Sequence, residues 1–350
     1  MDRRTVRPRQ WRTRRRLVDW DAPARRGAGQ AGRRHCAAAA TVGSMAMGGV
    51  DTHGGERLAD RLRRERDGHV RHSLLYWTQV LFSFHSNHME GSSLSLEQTA
   101  QLYEGGLSLA GAEGERFILD DMLTVSNHFR AVDYLLTRVD DPVDRKMVTD
   151  LHSILMNGTA DQWRDWMNVG GYKRRGNEIR RIDGATIHTA RPEDVPALMD
   201  RFFAACAAMT PDSPSLALAH WMFEKIHPLS DGNGRVGRLL LFKECLRLGT
   251  VPPLFRADYG ADYLRALDAF PQAPDMLVRL MRQERRYYLD RFVGRLAAGQ
   301  VASGWDDTAD GDVSGDDSRL RDAVRFDHDV DSASRAYTQM YPDLLHIDFD

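Results

Sequence analysis

His227-Pro-Leu-Ser-Asp-Gly-Asn-Gly-Arg-Val-Gly-Arg238 places a histidine, a carboxylate, an amide and two arginines around three glycines within twelve residues. Its core, Asp231-Gly232-Asn233-Gly234, reads as a turn whose small residues leave backbone N–H groups bare. Such a nest holds anions, and more strongly where a helix begins. The flanks supply the helices: Leu216, Ala219, Phe223 and Ile226 recur at helical spacing before the turn, and Val236, Leu239, Leu240 and Cys245 after it. Ser213-Pro214 reads as an N-cap followed by proline at the first helical position. Pro228 ends that helix and Gly249 stops the next. Helix dipole, bare amides, Arg235 and Arg238 then converge on one polyanion, with His227 beside it as a base.

Two other readings of these residues are weaker. Gly232-Asn-Gly-Arg-Val-Gly237 spells the dinucleotide-binding pattern GxGxxG, but the residues before it are helical, whereas that fingerprint follows a buried strand. A glycine turn with no chemistry is ordinary at helix junctions. It does not account for His227, Asp231 and both arginines gathered at one turn.

The chain has 350 residues and a formal net charge of −2. No apolar run is long enough to span a bilayer. Cys36, Cys206 and Cys245 are scattered without paired spacing, which points to a reducing, cytoplasmic setting and away from a zinc site. No HExxH is present, and His220 reads as a structural helix-face residue. The ends are polarised: residues 1–45 carry twelve Arg against three Asp, and residues 301–350 carry thirteen Asp against four Arg. Neither end has the apolar periodicity of a packed segment, so residues 1–50 and 299–350 are expected to be unstructured tails. A basic tail can attract nucleic acid. Here the arginine bias is global, with only four Lys in the chain, and Met45 or Met47 could serve as the start. Asp19 and Asp21 follow Arg14-Arg15-Arg16, which is unlike a secretion signal.

Residues 51–298 read as one all-α domain with short loops and no internal repeat. Leu74, Leu75, Trp77, Val80, Leu81 and Phe84 form an apolar helix face, and further helical runs fall at 95–107, 115–138, 142–157, 193–208, 213–226, 235–248 and 260–296. The exception is 177–189, where Ile179, Ile182, Thr186 and Ile187 flank an Asp183-Gly184 turn. It reads as a lone hairpin lying on the helical body, with an edge free to pair with an extended peptide or, alternatively, as a plain connector.

The stretch 227–238 resembles the Fic-family signature HPFx(D/E)GNGRxxR, departing from it only at Leu229, where the family usually has Phe. An apolar exchange there alters packing more than chemistry. Ser126 to Ala131, Leu151-His152 through Gly158, and Gly171-Tyr172 extend the resemblance over residues 70 to 290, in core-packing roles. The resemblance implies a Fic-like helical bundle in which the hairpin is the flap that docks a target protein. Ser86-Asn-His-Met-Glu90-Gly91 is similar to the family's inhibitory pattern (S/T)xxxE(G/N), here N-terminal to the core. Four-residue spacing puts Ser86 and Glu90 on one helix face with Gly91 as terminator, and the resemblance pairs Glu90 with Arg238.

The resemblance further implies a protein adenylyltransferase. His227, with an imidazole titrating near neutrality, would take the proton from a Ser, Thr or Tyr hydroxyl of a target protein. Asp231 would hold Mg2+. Gly232, Asn233 and Gly234 would cradle the α- and β-phosphates of ATP, Arg235 would neutralise the leaving group, and Arg238 would grip the γ-phosphate. Glu90 on Arg238 would keep the isolated protein mostly off. Tyr259 and Tyr263 are candidates to stack on the base. Relatives are regulated through association, which makes a homo-oligomer an expectation. Two alternatives remain open: removal of AMP from a modified protein by the same site, and a non-enzymatic binding role. The absence of a helix-turn-helix pattern after residue 296 argues against nucleic acid as the partner.

Overall fold

The structure is a computed structural model that describes residues 56–105, 118–180 and 186–293. Both charged tails and the Ile182, Asp183 and Gly184 positions of the hairpin tip lie outside these residues. Among the described residues the elements run α1 (Leu58–Asp67), α2 (Leu74–Met89), α3 (Leu96–Tyr103), α4 (Leu119–Thr137), α5 (Arg145–Met156), β1 (Glu178–Arg180), β2 (Thr186–His188), α6 (Val195–Ala207), α7 (Ser213–Ile226), α8 (Asn233–Arg247), α9 (Gly260–Ala269) and α10 (Asp275–Tyr288). The described residues are thus all-α apart from one antiparallel pair, with register Glu178↔His188, Ile179↔Ile187 and Arg180↔Thr186.

Helices α7 and α8 are the centre. Every residue of α7 except Lys225 is buried, as is every residue of α8 except Gly234 and Arg247. Helices buried on all sides must be surrounded. Accordingly α2, α4 and α5 pack on α8, while α6 and α10 pack on α7. Leu216, Phe223, Ile226, Val236, Leu239 and Cys245 all lie in the common core.

The helix ends follow from local chemistry. The cap of α7 is Asp212 rather than Ser213: its side chain accepts from Ser215 N at 2.8 Å, which moves Pro214 to the second helical position. At the other end of α8, Gly249 (φ 71°) lets Thr250 N reach Cys245 O at 2.8 Å. Helix α2 closes likewise at Gly91 (φ 94°), where Ser92 N meets Asn87 O at 3.0 Å.

Two expectations are corrected. The run 260–296 is two helices, because Pro271 and Pro274 interrupt the backbone ladder between Ala269 and Asp275. Helix α2 is not a one-faced amphipathic helix. Leu74, Leu75, Val80 and Leu81 are buried, but so are Thr78, Gln79, Ser83, Ser86 and Asn87, whereas Trp77 and Phe84 are only half-buried. Its polar side faces protein: Gln79 Nε2 donates to Asp133 Oδ1 at 2.9 Å, and Ser83 Oγ lies 2.9 Å from His128 Nδ1. The last turn of α2 is thereby delivered to the start of α8.

Candidate active site

The site sits where α7 turns into α8. His227 ends α7 in the left-handed conformation (φ 53°, ψ 58°), a strained choice for a non-glycine residue, and its N–H still bonds Phe223 O at 3.0 Å. Its Nδ1 lies 3.1 Å from Glu224 O, and with Nδ1–H donating to that carbonyl, Nε2 carries the free lone pair. Burial, aided by the nearby Lys173 charge, pushes the imidazole down to about 4, against the expected near-neutral value. The ring is therefore unprotonated at neutral pH without needing a carboxylate to orient it.

The Asn233 side chain is engaged within the loop. Its Oδ1 accepts from Leu229 N at 2.8 Å and its Nδ2 donates to Leu229 O at 2.9 Å, so the side chain closes the loop on itself and only the backbone N–H is left for a ligand. Gly232 (φ 76°) caps α8 and, having no side chain, leaves the first-turn N–H groups uncapped. A Cβ on it would collide with Met156 Cε at 2.7 Å. Asp231 is exposed, with Oδ1 accepting from Gly232 N at 2.7 Å and Oδ2 4.0 Å from Arg235 Nη2. Arg235 is buried, and its Nε has no hydrogen-bond partner among the described residues.

Arg238 is 3% exposed and held from one side by α2: Nε donates to Ser86 Oγ at 3.0 Å, and Nη2 donates to Ser86 O at 2.9 Å and to Glu90 Oε1 at 2.7 Å. Glu90 is the C-cap of α2 and Gly91 turns the chain away behind it. Burial raises the Glu90 carboxyl, but Arg238, Arg235 and His227 outweigh it and hold the group below its usual range. The carboxylate also lies over Gly234, where any Cβ would strike Glu90 Oε1. A carboxylate contributed by the chain itself therefore stands over the first turn of α8, paired with Arg238.

Sequence reasoning missed Glu224. It is buried one turn before His227, its Oε1 has no partner among the described residues, and that atom fills the space where Gly237 would carry a Cβ. Burial raises the carboxyl to about 7, Arg238 opposing and Glu90 reinforcing the shift. A lone acid inside an otherwise apolar helix was the available signal. Tyr263, a candidate to stack on a base, is buried, with its OH 2.8 Å from His220 Nε2 and its ring against Phe255. Tyr259 is half-buried under Arg256, 4.7 Å from its ring centroid. In the hairpin, Ile179 and Ile187 pair and are half-buried, and Thr186 is exposed.

These features define a helical domain in which a buried histidine stands beside a helix start, with a carboxylate of the chain itself held over that start by Arg238. Residues 142–244 match the Fic/DOC family. Among curated proteins the chain is similar to protein adenylyltransferase fic-1 of Caenorhabditis elegans, at 23% identity over 67% of this chain and 46% of the relative. It is also similar to protein adenylyltransferase Fic of Culex quinquefasciatus, at 25% identity over 57% and 37% respectively. The chain thus spans less than half the length of these relatives. In fold it resembles a Fic-domain-containing signalling protein from Bacteroides thetaiotaomicron, with a TM-score of 0.53 and 22% identity over 71% of this chain and 94% of that one.

Proposed function

We propose that the chain transfers AMP from ATP to a hydroxyl of a target protein, and that Glu90 restrains it. The observation that carries this reading is the Glu90 carboxylate paired to Arg238 over Gly234, next to a histidine with a free Nε2. A helix start that accommodates an internal carboxylate is chemically suited to phosphate oxygens. The names of the curated relatives support adenylyl transfer as the reaction.

In this mechanism His227 Nε2 takes the proton of the incoming hydroxyl as its oxygen bonds to the α-phosphorus. The bond from that phosphorus to the bridging oxygen breaks, and pyrophosphate leaves. The N–H groups of Asn233 and Gly234 hold phosphate oxygens, and Arg235, whose buried Nε awaits an acceptor, offsets charge on the leaving group. Arg238 takes the γ-phosphate once Glu90 withdraws. Asp231 suits Mg2+ as a hard carboxylate whose Oδ2 accepts no hydrogen bond among the described residues, and no all-protein cluster of three or more His, Cys, Asp or Glu side chains forms there. Mg2+ shared with the phosphates would supply charge neutralisation.

The test is to incubate wild type, Glu90→Gly and His227→Ala with Mg2+ and ATP labelled at either the α- or the γ-phosphate, scoring covalent label on the protein and on lysate proteins. Label from the α position alone, stronger in Glu90→Gly and absent in His227→Ala, is the expected result. Label from the γ position would replace adenylyl by phosphoryl transfer, and label from neither would turn the reading toward AMP removal or binding.

A further inference from the structure

Lys173 has no part in the chemistry above, yet it is buried to 3% exposure directly behind His227. No carboxylate among the described residues pairs with it. Its ammonium instead meets three neutral oxygens: Asn177 Oδ1 at 2.7 Å, Thr189 Oγ1 at 2.8 Å and Ile226 O at 3.4 Å. An ammonium has three N–H donors, so this set completes it.

The location of those oxygens is informative. Asn177 immediately precedes β1 and Thr189 immediately follows β2, so one cation gathers both feet of the hairpin. Thr189 Oγ1 is also 2.8 Å from Asn177 O, which closes the base of the hairpin on itself. Ile226 O belongs to the last turn of α7, where carbonyls lack helical partners and the helix dipole is negative. That end charge stands in for the missing carboxylate.

The same short segment grips the backbone on either side of His227. Lys173 N donates to Pro228 O at 2.8 Å, and Asn177 Nδ2 donates to Leu229 O at 2.8 Å, the carbonyl that Asn233 Nδ2 also bonds. Carbonyls 226, 228 and 229 are thus all fixed from residues 173 and 177. A left-handed histidine persists only where its surroundings over-determine it, and these bonds do so.

On the reading of His227 as the base, we propose that Lys173 is a positioning residue that ties both feet of the β1–β2 hairpin to the backbone presenting His227, so that seating an extended target segment on the hairpin and aligning the base are one event. The buried cation has a second effect in the same direction: it disfavours a proton on the imidazole. Burial lowers the Lys173 ammonium itself to about 8.

The experiment uses the full chain carrying Glu90→Gly, with Lys173→Met and Lys173→Arg added in turn. Two quantities are read: the initial rate of label transfer from α-labelled ATP to lysate proteins, alongside the Kd for ATP by calorimetry, and the NMR titration of the His227 imidazole without substrate. Lys173→Met is expected to cut transfer on the order of tenfold or more with the ATP Kd within about twofold. It should also raise the His227 midpoint by about one unit. Lys173→Arg should restore the midpoint and part of the rate. A folded Lys173→Met protein with unchanged rate and unchanged midpoint would overturn the proposal. Should Lys173→Met not fold, Asn177→Ala and Thr189→Val loosen the same tie, and undiminished transfer in both would overturn it equally. Failure of the base assignment is separate, since it appears as transfer persisting in His227→Ala.

Discussion

Arg238 Nη2 stands 2.7 Å from Glu90 Oε1, and the same carboxylate oxygen lies where Gly234 would carry a Cβ. On the proposed reading, one carboxylate thus blocks both a guanidinium and a helix start that a triphosphate would need. Replacing Glu90 by Gly should raise the rate of label transfer from α-labelled ATP by roughly tenfold or more, since a buried pair is strongly held. Glu90→Gln, which can still hydrogen-bond Arg238 but lacks the charge, should fall between. Initial rates at saturating ATP check this, and equal rates in all three proteins would remove Glu90 from any inhibitory role.

Gly234→Ala separates the seat from the brake. The added methyl strikes Glu90 Oε1 and lies 2.9 Å from Arg238 Nη1, so it displaces the carboxylate and fills the seat at once. Transfer should be lost in both the wild-type and the Glu90→Gly backgrounds. Thermal stability should change little in the Glu90→Gly background, because alanine suits a helix better than glycine, and should fall in the wild-type background, where the buried Glu90–Arg238 pair is broken. Active Gly234→Ala, Glu90→Gly protein would show that the phosphates bind elsewhere.

The pH dependence has a definite sign. The folded His227 imidazole titrates at about 4, below its ordinary 6.5, so between those values the unfolded chain binds more protons. This residue's contribution to stability is present above pH 6.5 and is lost as pH falls toward 4. Catalysis follows the folded group: kcat/KM of Glu90→Gly should stay flat from pH 8 down to about 5 as far as this base is concerned, then fall. An acid limb near 6.5 would mean that the imidazole is solvated in solution.

Glu224 behaves oppositely. Its folded carboxyl is raised to about 7 from 4.5, so the native state binds the extra proton and stability declines as pH rises across that window. Glu224→Gln keeps the shape without the charge. The variant should match wild type at pH 4 and exceed it at pH 8 by up to about 3 kcal/mol, measured by denaturant unfolding. Equal differences at both pH values would mean that the Glu224 carboxyl titrates alike in the folded and unfolded chains.

The loop and the Ser86–Glu90 turn that meets Arg238 were legible because their signals are local. Apolar spacing on both sides of residues 227–238 gave α7 and α8, and the four-residue step from Ser86 to Glu90 gave their shared face. Nearly equivalent capping residues side by side, Asp212 and Ser213, hid the start of α7 until the hydrogen bond chose between them. The helical pattern of 260–296 ran through Pro271 and Pro274 because apolar residues recur on either side of the break. Contacts between distant segments were not legible. Tyr263 turned toward His220 and Glu224 beneath Gly237 each depend on how helices face one another.

Glu90 is the capping residue of a helix whose polar and apolar sides are both enclosed by protein. On the proposed reading, the fraction of molecules able to bind ATP productively equals the fraction in which the last turn of α2 has moved away. Apparent affinity is the intrinsic affinity scaled by that fraction, so a shift of about 1.4 kcal/mol anywhere along α2 is felt as tenfold at the nucleotide. An effector would need no pocket of its own beside the phosphates: it could act by repacking Gln79 or Ser83, several turns from the chemistry.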